Sequence, residues 1–339
     1  MSRWLFVPSP APKPWNGSSI YLEPLGGSEA AVAYTARDLV KLGEGVSVAT
    51  NGVDKPTKFE GVEYWPINFM ETLLQIHWDY VVVSRWLEAL NQNWKCKVRI
   101  FWIHDMPYIG AGTMIPANVV VGVSQFQLRS WGLSPTWAVE IGNGVDLRDF
   151  TSVSGEVVRN PNRLIWTSNF NRGLPVAAKI FQEIRKRWPD MELHVFGGAA
   201  VYGWSEDTNV PYLPRKEHME NVILHGPVPR PQLAQELLKS WAFFYPTYYP
   251  ETFCISALEA QAAGLPVIAS PTAALPETVK GGILGYDFIN AVSQLRNKRR
   301  WDKLSHLGLE WAAECSWAKR AELWFHLARE VEDALHKPG

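Results

Sequence analysis

Two carboxylates, Glu251 and Glu259, stand eight positions apart in PETFCISALEAQAAGLPVIAS, which begins at Pro250, and the run between them is largely apolar. On one continuous helix they would lie about 12 Å apart along the axis and about 80° apart around it. They could not then work as a close pair. Hydrolysis of a glycosidic bond needs two carboxyls within roughly 5 to 10 Å of each other, so this spacing fits that chemistry poorly and suits the two ends of one long ligand better. The stretch follows the strand-like AFFYP, which puts Glu251 in the turn or at the helix start and Glu259 within the helix. The backbone N–H groups of Thr252, Phe253, Cys254 and Ile255 then lie between the two carboxylates, where a helix start favours an anion. Ionised carboxylates accept hydrogen bonds from paired sugar hydroxyls. The spacing reads as sugar, diphosphate and ribose in order; the plainer alternative is a Glu251 that favours the helix dipole and a solvated Glu259.

Three further groups could serve the same ligand. Gly26 and Gly27, in EPLGGSEAA, precede a helix, where a glycine pair allows close backbone approach to a phosphate or carboxylate, or is simply a turn. His104 and Asp105 end the apolar run of RIFWIHDMPYIG; the imidazole could donate to a ligand hydroxyl and the carboxylate could fix its tautomer, or both could be surface residues. Arg172, in RLIWTSNFNRGLP, is the only basic side chain in the turn after that strand. A guanidinium there could hold a diphosphate by charge-assisted hydrogen bonds, or be an ordinary surface arginine.

These residues fall at the ends of strands and the starts of helices. RWLFVP reads as a strand and SEAAVAYTARDLVKLG as a helix with Ser28 as N-cap and Gly43 as its stop. GVSVAT, YVVVS, VRIFWIH and NVVVGVS continue as β-branched strands, and the alternation argues for parallel strands with right-handed crossovers. After a polar link, DFTSVSGEVVRNPN, the pattern restarts with RLIWTS, the helix LPVAAKIFQEIRKRWP stopped by Pro189, MELHVFGG, NVILHG, PRPQLAQELLKSW, AFFYP, ISALEAQAAG and PVIAS. From about Asn290 the chain reads as helical. The expected organisation is an α/β chain of two domains, residues 1–150 and 151–315, with a C-terminal helix over 316–339. Two such domains would face each other across a cleft at the C-terminal ends of their strands.

With 339 residues the chain is long enough for two separate cores. Its net charge is -1, with 12 basic against 14 acidic residues through residue 150 and 21 against 20 after it. Neither half makes a basic nucleic-acid surface or an anionic-membrane surface. Cys96, Cys254 and Cys315 are an odd number and widely spaced, which argues against a disulfide framework or zinc knuckle and for a reducing, cytoplasmic setting. No run reads as a signal peptide or as 18 uninterrupted apolar residues, so at most peripheral membrane association is expected. Among 17 tryptophans, Trp301, Trp311, Trp317 and Trp324 fall in the C-terminal helical region, where packing against the rest of the protein is favoured over contact with lipid.

The stretch from Glu251 to Glu259 resembles the E-x7-E motif of the retaining glycosyltransferases with the GT-B fold, the group often called family 4. GGSEAAVAYTARDLVKLGEGVSVAT resembles that family's N-terminal glycine loop and first helix, IGNGVDLRDF the segment closing its first domain, and GLPVIASPTAALPETVKGGILG the strand and loops after its motif helix. The likeness is scattered over most of residues 20 to 290. It implies two Rossmann-like domains with a C-terminal helix crossing back to the first, and transfer of a sugar from a nucleotide-diphosphate sugar with retention of anomeric configuration and no required metal or cofactor. By position, Glu251 would bind hydroxyls of the transferred sugar, Glu259 the ribose, and the backbone at Phe253, Cys254 and Ile255 the phosphates or sugar. Gly27 would approach the diphosphate, His104 would contact the transferred sugar, and Arg172 would neutralise the leaving diphosphate. Domain closure over the donor would exclude water. The acceptor is open among saccharide, lipid-linked and small-molecule classes. Two departures stand out: Arg172-Gly173 matches the second of the family's two basic positions and the first has no basic counterpart, and Cys254 stands where the family commonly has glycine. In WAKRAELWFHLAREVEDALH, Leu323, Trp324, Leu327 and Val331 recur near helical spacing, as expected of a helix packed by one face. The same plan also serves a sugar-nucleotide scaffold, a nucleotide-sugar hydrolase or an epimerase.

Overall fold

The computed structural model describes residues 1–108, 114–151 and 157–336. Two compact units emerge, each with its own parallel sheet. The first comprises Met1–Ile20, Leu25–Asn143 and Trp317–Gly339; the second comprises Tyr21–Pro24 and Gly144–Ser316. Residues 152–156, within the polar link, lie outside the described residues.

Among the described residues the first unit has eight strands: β1 (Arg3–Pro8), β2 (Gly45–Thr50), β3 (Thr57–Phe59), β4 (Val62–Pro66), β5 (Trp78–Ser84), β6 (Cys96–Trp102), β7 (Val119–Gly122) and β8 (Ala138–Glu140). Their order is β3-β4-β2-β1-β5-β6-β7-β8, parallel throughout except for the antiparallel β3–β4 edge. Trp4, Leu5, Phe6 and Val7 of β1 are fully buried. A central strand covered on both faces has no polar alternation to show, which is why this run reads as continuously apolar.

The helix Gly27–Lys41 begins earlier than the sequence suggests. Gly26 is its N-cap and no side chain caps it, so Ser28 lies inside the first turn. The C-terminal helix Trp317–His336 packs on this helix and on the sheet: Trp317 stacks on Tyr34 with centroids 5.5 Å apart, and Trp324 sits 4.8 Å from Trp102. Its buried stripe is Trp317, Ala321, Trp324, Leu327 and Ala328, whereas Leu323 is exposed. Leu323 is one residue, about 100° of turn, from Trp324 and falls off the stripe. The alanines let the two helices approach closely, and Trp301 and Trp311 are each partly buried.

Among the described residues the second unit has six strands: β9 (Arg163–Thr167), β10 (Glu192–Phe196), β11 (Val222–Gly226), β12 (Ala242–Tyr245), β13 (Val267–Ala269) and β14 (Gly282–Leu284). Their order is β11-β10-β9-β12-β13-β14, all parallel. Order reverses beside β9, the first strand, so the turns after β9 and β12 open next to each other. Loops at such a switch point are where open parallel sheets bind ligands. Leu164, Ile165, Phe243 and Phe244 are fully buried beneath them.

Candidate functional site

In the second unit the turn after β9 and the loop after β12 bring Arg172 and Glu251 together, although 79 positions separate them. Arg172 ends the 3-10 turn Phe170–Arg172, and Gly173 follows at φ 113°, a left-handed conformation that a side chain would strain. Its Nη1 donates to Glu251 Oε2 at 2.6 Å. The guanidinium also lies over the Tyr249 ring, 4.5 Å from its centroid. The other carboxylate oxygen, Oε1, accepts from the buried Tyr245 hydroxyl at 2.5 Å, and that hydroxyl is 3.2 Å from Ser168 Oγ. Glu251 itself is only 3% exposed.

Burial disfavours the charged form of Arg172, but the Glu251 carboxylate and the phenols of Tyr202 and Tyr245 outweigh it and hold the guanidinium firmly charged. Burial, then Glu251, pushes the Tyr245 phenol well above its usual range, so it remains a donor. The same two causes raise the Cys254 thiol well above its ordinary value. A thiol held protonated is a poor nucleophile, and Cys254 has a backbone role instead.

That role is to break the chain direction. Glu251 and Glu259 are not on one continuous helix: the helix spans Ile255–Ala262, and Cys254 is its N-cap with φ 73°, ψ 73°. Few residues other than glycine take that conformation without cost. The Cys254 carbonyl accepts from Ala257 N at 3.1 Å, and Thr278 Oγ1 donates to the Phe253 carbonyl. Thr252 and Phe253 thus form a pinned bend leading into the helix, with Ile255 as its first residue. Cys254→Gly is expected to change stability by less than about 1 kcal/mol, since relief of strain offsets the lost thiol packing and the looser unfolded chain. Cys254→Val should cost at least about 2 kcal/mol, because β-branching is poorly tolerated at positive φ. Urea unfolding midpoints of the two variants check the contrast.

Glu259 is in the helix, 8% exposed, and its Oε1 accepts from Arg230 Nε at 3.2 Å. Burial raises its pKa and the Arg230 charge opposes the rise. Asp149 lies near by, pushed up to about 7 by burial and then by the Asp146 and Glu259 carboxylates.

In the first unit the residues that follow β5 and β6 meet the start of the helix Gly27–Lys41. Asp105 Oδ2 accepts from Arg85 Nε at 2.7 Å, and Arg85 Nη1 donates to Ser28 Oγ at 2.7 Å. Gly26 and Gly27 form the uncapped start of that helix. His104 lies just past β6 with its ring 4.5 Å from that of Trp102. Burial, then the Arg85 charge, brings its pKa down to about 3. The imidazole is therefore neutral at neutral pH. Since the folded value lies below the unfolded one of about 6.5, His104 contributes stability above pH 6.5 that is lost as pH falls towards 3. A His104→Gln variant should show a shallower fall in unfolding free energy over that window, measurable by denaturant titration at several pH values.

Sequence reasoning did not find Tyr245, Arg230, Arg85 or Tyr249. Arg230 left a signal: it opens the helix Arg230–Lys239, the end where the helix dipole disfavours a cation. Arg85 left another, being placed directly after the β5 run. Tyr245 and Tyr249 left none, because only the fold brings them to Glu251 and Arg172.

Residues 156–301 match the family described as glycosyl transferases group 1. A D-inositol 3-phosphate glycosyltransferase of Thermobifida fusca is 25% identical over 233 residues, 62% of this chain and 53% of that protein. The chain spans about half the length of the curated relatives it matches. Among solved structures, sucrose-phosphate synthase of Thermosynechococcus elongatus superposes with a TM-score of 0.70 at 17% identity, covering 98% of this chain and 100% of that one. Anabaena HepE in complex with UDP-glucose gives 0.71 at 14% identity, covering 97% and 100%. These structural likenesses bear on fold. The chain therefore has the GT-B fold, and its residues 156–301 match the group 1 glycosyltransferases.

Proposed function

We propose that the protein is a retaining glycosyltransferase that moves a sugar from a nucleotide-diphosphate sugar to an acceptor hydroxyl without requiring a metal. The observation that carries this reading is the buried Glu251 carboxylate, held on one oxygen by Arg172 and on the other by Tyr245, at the bend into the helix that bears Glu259. Each oxygen keeps further acceptor capacity, so Glu251 accepts from hydroxyls of the transferred sugar. Glu259 accepts from the ribose. The backbone from Thr252 to Ile255 and the helix start face the diphosphate.

Arg172 presents five N–H donors and spends one on Glu251. The others serve the diphosphate, whose negative charge grows as the bond from its oxygen to the anomeric carbon breaks. The acceptor oxygen bonds to that carbon on the face the diphosphate leaves, and the acceptor proton passes to the departing phosphate oxygen. No protein nucleophile is needed, consistent with the raised thiol of Cys254. Positioning and charge stabilisation supply the rate. Within the first unit, Gly26 and Gly27 open a helix whose start suits an anion, and neutral His104 can donate to a hydroxyl.

UDP-glucose is bound by Anabaena HepE, which makes UDP and its sugars the first donors to try. A thermal-shift panel of UDP, GDP, ADP and TDP with their common sugars, in EDTA throughout, should give a selective rise in melting temperature with one base. No rise with any nucleotide would contradict the reading, and a rise that EDTA abolishes would contradict its metal independence.

A further inference from the structure

We propose that Arg230 is a positioning residue for the ribose end of the donor: it holds the Glu259 carboxylate in place, and through that carboxylate the protein tells a ribonucleotide from a deoxyribonucleotide. This rests on the sugar-transfer reading above, in which Glu259 accepts from the ribose, and adds the group that makes Glu259 able to do so. The argument starts from a cation in an unfavourable place. Arg230 is the first residue of the helix Arg230–Lys239, where unpaired N–H groups and the helix dipole already supply positive charge. Pro229 is the N-cap and Pro231 lies in the first turn, so the backbone is restricted on both sides of Arg230. Leu233 N donates to the Pro229 carbonyl at 2.9 Å and closes that turn. The point from which the guanidinium reaches out is thus set by the chain itself.

What it reaches is Glu259. Arg230 Nε donates to Glu259 Oε1 at 3.2 Å, and the two side chains are only 14% and 11% exposed. A carboxylate at that depth is costly without a cation. Burial favours its neutral form, and the charge and hydrogen bond of Arg230 oppose this. Another neighbour has the wrong sign: Asp149, in the short helix Arg148–Thr151 that packs on the Arg230 helix, interacts with both Glu259 and Arg230. Without Arg230, Glu259 would face Asp149 with no counter-charge and would take up a proton. A ribose offers two adjacent hydroxyls as donors, and an ionised carboxylate fixed in one orientation meets both. Arg230 supplies the charge balance, and its Nε, set on one oxygen, supplies the orientation.

The test uses the full chain and calorimetric affinities for UDP, GDP and ADP, each beside its 2′-deoxy form. The wild-type protein should bind the ribo form of its preferred nucleotide at least about tenfold more tightly than the deoxy form. Arg230→Met should narrow that ratio to less than about threefold, by weakening the ribo form and leaving the deoxy form nearly unchanged. Arg230→Lys, which keeps the charge but not the Nε donor, should narrow it less, and it keeps the test open if the methionine variant does not fold. Glu259→Gln should also narrow the ratio, and adding Arg230→Met to it should cost no more than about a further twofold, because Arg230 acts through Glu259. Equal weakening of both forms by Arg230→Met overturns the proposal, as would follow from direct contact of Arg230 with the nucleotide. So does an unchanged ratio, or losses that add in full in the double variant. A wild-type protein that binds ribo and deoxy forms alike removes Glu259 from the ribose, and one that binds no nucleotide rejects the sugar-transfer reading; either result takes the proposal with it.

Discussion

Glu251→Gln is expected to lower sugar transfer by roughly 100- to 1,000-fold while the affinity for the nucleoside diphosphate changes by no more than about threefold. The reason lies in what each oxygen does. Oε2 takes the Arg172 hydrogen bond and Oε1 takes that of Tyr245, so the carboxylate is fixed in direction and its remaining lone pairs are aimed. In the variant the amide oxygen keeps Arg172, and the new NH2 faces the Tyr245 hydroxyl, which must then turn its own hydrogen towards Ser168 Oγ, 3.2 Å away. Volume is conserved and the bend at Cys254 is untouched. The stability cost should therefore be about 1 to 3 kcal/mol, from the neutralised partner of Arg172. What is lost is a charged acceptor for sugar hydroxyls that strengthens as the anomeric carbon gains positive charge. Steady-state rates beside calorimetric affinities for the nucleotide check this, and equal loss of both would contradict the assignment of Glu251 to the sugar.

Arg172→Ala is expected to lower binding and rate together. It weakens nucleoside diphosphate binding by about 10- to 100-fold, the worth of one or two charge-assisted hydrogen bonds. It also lowers kcat by about 100- to 1,000-fold, because the charge of the leaving diphosphate goes unanswered. The first of the two basic positions in the family this chain resembles has no basic counterpart here, so Arg172 is expected to carry more of that load than one member of a pair would. Removing it also leaves the Glu251 carboxylate buried without its cation and strips the guanidinium from the Tyr249 ring. Arg172 is partly open to solvent, which holds the stability loss to about 1 to 3 kcal/mol. Arg172→Lys should recover part of the binding but little of the rate, since an ammonium has one centre of charge where the guanidinium spans Glu251 and the diphosphate at once. Rates and affinities of all three proteins separate these terms, and a lysine variant with full kcat would contradict the need for a planar cation.

Much of the fold was legible because its central strands are buried on both faces and so appear as apolar runs: RWLFVP, YVVVS and AFFYP correspond to β1, β5 and β12. The strands that sequence reading missed are short or peripheral. β3, β8 and β14 have three residues each and β4 has five, too few for a period to show, and β3 turns two of its three side chains outward. Glu251 and Glu259 were legible by spacing, and Arg172 by its place after a strand. Their partners were not, because Arg172 with Glu251, Arg230 with Glu259 and Arg85 with Asp105 are contacts made by the fold across 79, 29 and 20 positions. Ser28 was read as a cap from its residue type, whereas the glycine before the helix let the first turn start without one. Cys254 shows the converse: its left-handed backbone gives the physical reason for glycine at the matching family position.

The measurement closest to the central claim is proton NMR of the sugar released when the protein turns over an α-linked nucleotide sugar in EDTA, followed from the first minutes, before the anomers interconvert. Retention at the anomeric carbon predicts that the α anomer appears first, from hydrolysis without acceptor and as an α-linked product with one. First appearance of the β anomer would contradict the mechanism built here on Glu251 and Arg172.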